Sequence, residues 1–284
     1  MKISIITPNY NYAHFLNELL DSVVQQNYLH WEHIIVDDGS TDGSVSIIRS
    51  YVDRYPQNFK CVVQENAGQS MALNRALSVV TGELIMWINS DDSFCPHAFS
   101  AIVKEFEKDP NLDVLFGDIQ FMDMKGRNMF LHRNQPFRYV EAAALGFTMY
   151  VSSNAVVWKS ELMKSLDGFQ PDFKCNMDGE FFSRLFNSAK YQYAPIAIAN
   201  FRKQPFSKAA ENDERWTSLM NHEINVELTN SRVQLRKDKG EFFNLLFPLL
   251  KRWYRIKRGV YRKWTGRDRS KKRGLMEYYK SENS

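Results

Sequence analysis

The sequence predicts an α/β fold in which helices cover both faces of a mostly parallel sheet. Apolar runs of strand length alternate with helix-spaced apolar patterns over residues 1–115, and the breaks between them are short. Parallel strands need a crossover connection, which a helix supplies, so this alternation favours a parallel sheet. The sequence contains no internal repeat and no low-complexity linker. We therefore expect one large domain, residues 1–231, followed by a C-terminal tail, residues 232–284.

Strands and helices are predicted in order along the first half of the chain. The five strands are expected at residues 2–7, 32–37, 59–63, 83–88 and 113–122. The helices between them are expected at residues 15–26, after a cap at 40–42, at 68–80 and at 96–108. Pro96 suits the first position of the last helix, because proline has no N–H to leave unsatisfied there.

The pattern is looser beyond residue 122. Lys125-Gly126 is typical of a hairpin turn. The later segments are predicted as a strand at 149–158, helices at 160–166 and 179–186, an extended stretch at 191–201 and a helix at 209–231.

Composition excludes several classes of protein. The 284 residues are 44% apolar and 25% charged, as in an ordinary globular protein. The longest candidate apolar run, residues 242–250, is far shorter than the roughly 20 residues of a membrane-spanning helix. The first residues are typical of a strand rather than a signal peptide. Three widely spaced cysteines indicate neither a disulfide framework nor a zinc site, so we expect a cytoplasmic protein.

Polar residues follow four successive predicted strands. They are residues 8–11, 37–40, 65–68 and 89–92. In open α/β sheets, ligands bind beyond the carboxyl ends of the strands. We therefore expect carboxylates, amides and one aromatic ring to gather at that edge as a binding site.

The segment around Asp38 has two interpretations. The first is a strand end with a helix cap, which explains Ser40 but not two carboxylates, Asp37 and Asp38, before a glycine. The second is a nucleotide site, where a carboxylate accepts a base N–H or a ribose hydroxyl. In the second interpretation, Tyr10 would stack against the base.

The segment Asn89-Ser90-Asp91-Asp92 also has two interpretations. Adjacent carboxylates after a buried strand repel each other unless solvent or a cation neutralises them. Carboxylate oxygens suit Mg²⁺ or Mn²⁺, with substrate phosphate oxygens completing the coordination. The alternative is a cap for the following helix, where negative charge is favourable. The metal interpretation, with Asp91 and Asp92 as ligands, is preferred.

Five motifs in order resemble the family 2 inverting glycosyltransferases of the GT-A fold. The motifs are IITPNYN at 5–11, VDDGSTD at 36–42, ENAG at 65–68 with Asn74, GE at 82–83 leading to NSDD at 89–92, and MDGEFFSR at 177–184. The resemblance runs over roughly residues 2–205. It implies a nucleotide-binding half, residues 1–122, and an acceptor half, residues 123–231.

The resemblance also implies roles for single residues. Tyr10 and Asp38 would hold the base of a nucleotide-sugar, while Asp91 and Asp92 would stand at a divalent cation, Mn²⁺ or Mg²⁺, and the diphosphate. The complete set of implied donor-binding residues is Pro8, Tyr10, Asp38, Asn66, Gly68, Asn89, Asp91 and Arg202.

Asp178 matches the catalytic base of that family. An inverting transfer needs a base to take the proton of the attacking hydroxyl, and a carboxylate within hydrogen-bond reach suffices. The alternative role for Asp178 is the N-cap of the predicted helix that follows it. Glu180 is the second candidate for the base.

The chain departs from the family pattern at two places. Asn89 occupies the first acidic position of the family's Asp-x-Asp region, and the histidine often found after the arginine of the last strand is absent. Arg202 is followed instead by Gln204 and Ser207. We expect either modest metal affinity or partial neutralisation of the diphosphate by Arg202, Lys203 and Lys208.

The C-terminal tail is strongly basic. Residues 232–284 carry a net charge of +12 and the remaining residues carry −8. Residues 251–273 mix twelve Lys and Arg with aromatic side chains and follow the apolar run 242–250. A solvated basic helix and a nucleic-acid-binding segment are alternatives, but no base-reading motif is present and no nucleic acid is expected. Residues 241–273 are interpreted as an anchor on an anionic membrane surface.

The sequence is thus interpreted as a peripheral, cytoplasmic glycosyltransferase of bacterial glycan biosynthesis type. It would move a sugar, with a UDP-sugar as the preferred donor, to a growing and lipid-linked glycan. The alternative from another class is a non-catalytic nucleotide- or glycan-binding module, for which Asn89 and Gln204 would mark a decayed site.

Overall fold

A computed structural model describes residues 1–137, 139, 151–204 and 214–239 of the chain. The strands in these residues are β1 (Ile3–Asn9), β2 (Trp31–Asp37), β3 (Phe59–Val63), β4 (Leu84–Trp87), β5 (Ser93–Phe94), β6 (Val114–Met122), β7 (Asn128–His132), β8 (Val156–Lys159) and β9 (Tyr191–Arg202). The α-helices are α1 (Ala13–Val24), α2 (Ser44–Arg54), α3 (Gln69–Leu77), α4 (Ala98–Lys108), α5 (Met177–Ser188) and α6 (Glu214–Lys239).

The strands form one mixed sheet in the order β3-β2-β1-β4-β8-β6-β9-β5, with β7 paired to β6. The first four strands of that order are all parallel. The later strands bring in antiparallel pairs, namely β4 with β8, β6 with β8, β5 with β9 and β6 with β7. The predicted α/β class is confirmed, and the parallel part coincides with the region where strand and helix patterns alternate in the sequence.

The main core lies between one face of the sheet and helices α1, α2 and α4. Its strand residues include Ile3, Ile5 and Met86, all at most 1% exposed. Trp87, the next residue of β4, points to the other face, as alternation along a strand requires. There it contacts the rings of Phe169 and Phe182, the latter from α5. Apolar side chains on both faces explain why the parallel strands are continuous apolar runs.

Some predicted boundaries were wrong. Helix α4 begins at Ala98 rather than residue 96, because His97 adopts a left-handed conformation with φ +62° just before it. Of the strand expected at 149–158, residues 149–150 lie outside the described residues, and from residue 151 onward the strand is β8, after a 3₁₀ turn at Ser153–Ala155. The two-residue strand β5 was not predicted, since so short a segment carries no periodicity.

The larger compact unit takes in Met1–Phe137 and Thr148–Glu227, and the site described below lies within it. A second unit contains the end of α6 from Leu228 onward. The boundary at residue 231 stays a prediction, and so does the anchor at 241–273, because residues 240–284 lie outside the described residues. None of the described helices is long and apolar enough to cross a membrane.

The side chain of Glu32 in β2 links β1, β3 and the residues before β4 at the amino-terminal edge of the parallel strands. Its buried carboxylate accepts hydrogen bonds from the hydroxyl of Ser4 in β1 (2.6 Å) and from the N–H of Thr81 before β4 (2.6 Å). It also pairs with Lys60 of β3 (2.8 Å) and with Lys2 (3.2 Å). Burial alone would raise the pKa of Glu32, but these hydrogen bonds outweigh burial and lower the pKa from 4.5 to about 2.

Glu32→Gln is expected to lower the free energy of unfolding near neutral pH by about 1–3 kcal/mol, because the amide cannot satisfy the same donors. Since the folded-state pKa is depressed, the carboxylate stabilises the fold fully above pH 4.5, and that contribution is lost as the pH falls towards about 2. Urea unfolding should therefore show the difference between wild type and variant shrinking below about pH 4.5.

The control is Glu105→Gln, which removes an ion pair with Lys108 on the surface of α4. We expect a change below about 0.5 kcal/mol for this variant. A Glu32→Gln difference that stays constant down to about pH 3 would contradict the assignment.

Candidate functional site

The first two parallel strands end in a network around Asp37. Asn9 and Asp37 are register partners at the ends of β1 and β2. The Asn9 side-chain amide donates to one oxygen of Asp37 (2.7 Å), and the backbone N–H of Ser40 donates to the other (2.9 Å). Asp37 is fully buried. Its carboxylate therefore shapes the turn, which accounts for the first of the two adjacent acids.

Asp38 is held by the loop that follows β3. Its Oδ1 accepts from the Gln64 side chain (2.7 Å) and the N–H of Ala67 (2.9 Å), and its Oδ2 accepts from the N–H of Gly68 (2.8 Å). Gly68 has φ +91°, a conformation that favours glycine. A carboxylate offers about four acceptor positions, and the protein fills three of them at Asp38, which is 4% exposed. The structure thus brings the predicted residues Asp38 and Gly68 together.

Three further predicted residues lie at the end of β1 or in the loop after β3. Tyr10 follows β1 and is 47% exposed, so its ring is accessible to a base. Asn66 is an exposed residue of the same loop as Gly68. The carbonyl of Pro8 accepts a hydrogen bond from the hydroxyl of Ser90 (3.0 Å). This hydrogen bond joins the end of β1 to the loop after β4.

The oxygen of Asn89 is already used by the protein. It accepts from the indole N–H of Trp87 (3.0 Å) and from the side-chain amide of Gln69 (3.2 Å). An indole N–H only donates, so the atom facing it must be the amide oxygen. Asn89 is half-buried and has its NH₂ group left for a ligand. At a position where the family pattern has an acceptor carboxylate, this chain offers a hydrogen-bond donor.

Asp91 and Asp92 have different surroundings. Asp92 is 2% exposed, and its two oxygens accept from the backbone N–H of Arg202 (2.7 Å) and the side-chain amide of Asn154 (2.5 Å). Asp91 is half-buried, and its Oδ2 accepts from Gln204 (2.6 Å). Apart from the N–H of Asp91 itself, no donor of the described residues reaches its Oδ1. Asp91 is therefore the residue of the pair with an oxygen available to a cation.

Burial also raises the pKa of both acids. Burial and the nearby charge of Asp91 hold the pKa of Asp92 well above its usual range, and burial raises the pKa of Asp91. Within the described residues, no group of three His, Cys, Asp or Glu side chains could hold a metal ion by itself. The donor set fits a cation that takes most of its ligands from substrate and water.

The structure gives Arg202 a role different from the predicted diphosphate contact. Its guanidinium donates to the Asp91 carbonyl (2.8 Å) and pairs with Glu18 of α1 (2.5 Å). The same group donates to the carbonyls of Asp123 and Met124. Arg202 is 2% exposed, so it supports the loop that carries Asp91.

Gln204 was noted in the sequence only as a departure from the family pattern. The structure places its amide on Asp91, where it orients the carboxylate. Tyr12 lies close enough for its hydroxyl to contact Gln204, and burial raises the pKa of that hydroxyl. A sequence search could not find either residue, because each depends on the approach of β9 to the end of β4.

Asp178 and Glu180, the two candidates for the base, lie in the first turn of α5 and have different hydrogen-bond partners. Asp178 is half-buried, its Oδ1 accepts from the N–H of Gly179 (2.8 Å), and it pairs with no basic side chain of the described residues. Burial raises its pKa. Glu180 instead makes two contacts with Arg184 (2.6 and 2.7 Å). Geometry therefore favours Asp178 as a proton acceptor.

The start of α5 meets the start of α3. The hydroxyl of Ser70 lies 3.3 Å from the sulfur of Met177, the residue before Asp178. Gln69, which contacts Asn89, is the neighbour of Ser70. Asp178 thus lies at the same edge of the sheet as the residues that follow β3 and β4.

Residues 4–164 match a family model described as Glycosyl transferase family 2. The chain belongs to glycosyl transferase family 2. The match begins in β1 and continues beyond β8, so it contains every acidic residue of the site except Asp178 and Glu180.

Curated relatives of this family 2 chain match only part of it. An uncharacterized glycosyltransferase of Nostoc sp., alr2836, is 36% identical over 129 residues, which is 43% of this chain and 40% of that protein. The uncharacterized Escherichia coli glycosyltransferase YibD is 35% identical over 40% of this chain and 32% of its own length. TuaG of Bacillus subtilis, named for teichuronic acid biosynthesis, is 37% identical over 32% of this chain and 36% of its own length.

Solved structures support the fold. S. aureus TarS 1–349 in complex with UDP-GlcNAc superposes with a TM-score of 0.62 at 23% identity, over 80% of this chain and 66% of that one. The mannosyltransferase PcManGT of Pyrobaculum calidifontis, in complex with GDP-Man and Mn²⁺, gives a TM-score of 0.55 at 21% identity, over 73% of this chain and 59% of that one. The predicted GT-A fold is confirmed by these likenesses.

The different surroundings of Asp91 and Asp92 can be tested by measuring the free energy of unfolding of a variant at each position. Asp92→Ala leaves the Arg202 N–H and the Asn154 amide without partners in a buried place, so we expect a loss of about 1–3 kcal/mol in the free energy of unfolding. Asp91→Ala removes a like charge beside Asp92 and should change stability by less than about 0.5 kcal/mol. Urea unfolding measures both, and equal losses would contradict the assignment.

Proposed function

We propose that this chain transfers a sugar from a nucleotide-sugar to a hydroxyl of a growing glycan, with inversion at the transferred carbon. The observation that carries the proposal is the position of Asp178. Its carboxylate, free of basic partners in the described part of the chain, lies at the edge of the sheet that also holds Asp38, Asn89 and Asp91. Family membership supports the same reaction class.

The donor is proposed to be a UDP-sugar. The remaining acceptor position of Asp38 suits a base N–H, and the exposed ring of Tyr10 suits stacking on the base. The solved neighbours are complexes with UDP-GlcNAc and with GDP-Man, which supports a nucleoside-diphosphate sugar as the class of donor. The NH₂ group of Asn89 would donate to an oxygen of the ribose or the diphosphate.

A divalent cation, Mn²⁺ or Mg²⁺, is proposed at Asp91. When bound, such a cation supplies positive charge that stabilises the leaving diphosphate. Asp91 would hold it through Oδ1, while Gln204 keeps the other oxygen in place. Asp92 is not included as a ligand in this proposal, since both of its oxygens accept hydrogen bonds from the protein.

Asp178 is proposed to be the general base. It would take the proton of the acceptor hydroxyl as that oxygen bonds to the anomeric carbon, while the bond from this carbon to the diphosphate oxygen breaks. Burial raises the pKa of Asp178, which strengthens it as a proton acceptor. The hydrogen bond from Gly179 limits that rise.

The acceptor and the location are proposed from the sequence. TuaG is named for biosynthesis of a cell-wall polymer, which supports a polysaccharide acceptor. The basic and aromatic segment 241–273 suits an anionic membrane surface on the cytoplasmic side, and a lipid-linked glycan would be presented there.

Donor and cation are tested together by thermal unfolding. We expect at least one of UDP-GlcNAc, UDP-glucose, UDP-galactose and GDP-mannose to raise the midpoint with Mn²⁺ present, since a ligand that binds the folded state stabilises it. Asp91→Asn should abolish the Mn²⁺ dependence. Asp109→Asn is the matched control, because Asp109 pairs with Lys190 near the start of β6, at the opposite edge of the sheet. No response to any of these donors would contradict the proposal.

The base is tested by Asp178→Asn, which keeps the size of the side chain but removes the basic carboxylate. Release of nucleoside diphosphate from the stabilising donor should fall by roughly 10²–10⁴-fold. The dissociation constant of the donor should barely change, because the base acts on the acceptor. Asp172→Asn, an exposed position six residues earlier, is the control and should retain full activity. Near-normal release by Asp178→Asn would reject the base assignment.

A further inference from the structure

We propose that Glu223 and Glu227 of helix α6 are positioning residues for Asp178. Both lie beyond the part of the chain that matches the family model, residues 4–164. The inference rests on the proposed function, since it takes Asp178 to be the base. It adds that a helix distant in sequence fixes where that base stands.

Glu223 binds the turn that leads into α5. Its Oε1 accepts from the N–H of Lys174 (2.7 Å), and its Oε2 accepts from the N–H groups of Cys175 (2.9 Å) and Asn176 (2.8 Å). Glu223 is 5% exposed. Three consecutive backbone donors converging on one buried carboxylate restrict the conformation of that turn. The negative charge also lies at the N-terminal end of α5, where the helix dipole favours it.

Glu227, one helical turn after Glu223, binds side chains of α5 and its cap. It accepts from the side-chain amide of Asn176 (2.8 Å) and from the hydroxyl of Ser183. Glu227 is 3% exposed. The i, i+4 spacing places both acids on one face of α6, so this face contacts α5 at its beginning and near its middle.

Asn176 connects the two acids of α6 to the turn that carries Asp178. Its carbonyl accepts the N–H of Glu180, which closes the first turn of α5 (3.0 Å). Its side chain lies over Gly179, where an added Cβ would be 2.4 Å from the Asn176 oxygen. Asp178 therefore lies between a residue held by both acids of α6 and a glycine that packs against that residue. A shift of the turn would move the Asp178 carboxylate with it.

Glu223→Gln tests the inference, because glutamine keeps the size but places an NH₂ group opposite a backbone N–H. We expect kcat for nucleoside diphosphate release, with the donor that stabilises the wild type, to fall about 10- to 100-fold. The dissociation constant of that donor should stay within about twofold, since Asp38 and Asp91 are untouched. His222→Gln, exposed on the same helix, is the control and should behave as wild type.

A double variant separates positioning from general stability. If Glu223 acts through Asp178, then Glu223→Gln added to Asp178→Asn should reduce the residual rate little further. A purely structural role predicts multiplied losses in the double variant, or donor binding and kcat that decline together, and either result would overturn the inference. If Glu223→Gln does not fold, Glu227→Gln carries the same comparison, because it leaves the three backbone contacts of Glu223 in place.

Failure of the positioning role can be distinguished from failure of the proposed function. Near-normal activity of Asp178→Asn would reject Asp178 as the base, whatever the α6 variants do. A large loss in Asp178→Asn together with unchanged kcat in both Glu223→Gln and Glu227→Gln would reject only the positioning role.

Discussion

The buried carboxylate of Asp92 is the contact on which the rest of the site depends. It joins the loop after β4 to the backbone of β9 through Arg202 and to the segment before β8 through Asn154. Arg202 then reaches back to the Asp91 carbonyl and to Glu18 of α1. Asp92 therefore connects the parallel strands to β9 and to the segment before β8. This arrangement places the backbone of Asp91, and Gln204 orients its carboxylate.

Acidic residues in the site occur in pairs with divided roles. Asp37 is fully buried and accepts hydrogen bonds from Asn9 and Ser40, while Asp38 accepts three from the loop after β3. Both oxygens of Asp92 accept hydrogen bonds from other residues, whereas for Asp91 only Oδ2 does so among the described residues. The same division separates Glu180, which pairs with Arg184, from Asp178. In the last two pairs, one acid is held by other residues on both oxygens, and its neighbour has an oxygen that no other described residue reaches.

Local sequence patterns account for the parallel strands, most helices and the grouping of polar residues after β1, β2, β3 and β4. They could not separate Asp91 from Asp92, because the difference comes from Arg202 and Asn154, which are 110 and 62 residues away from Asp92. The family resemblance suggested Arg202 for the diphosphate, since a sequence shows a charge but not its burial. The roles of Glu223 and Glu227 were missed for a related reason: two acids four residues apart are also common on solvated helices.

The most direct test of the account is a crystal structure of the chain with UDP and Mn²⁺. The account expects the base beside Tyr10 and Asp38, the diphosphate and cation at Asp91, and the Asp178 carboxylate facing the end of the diphosphate where a sugar would be attached. Asp92 should keep its contacts with Arg202 and Asn154. A nucleotide bound away from the carboxyl ends of β1, β2 and β4, or one whose diphosphate does not approach Asp91, would contradict it.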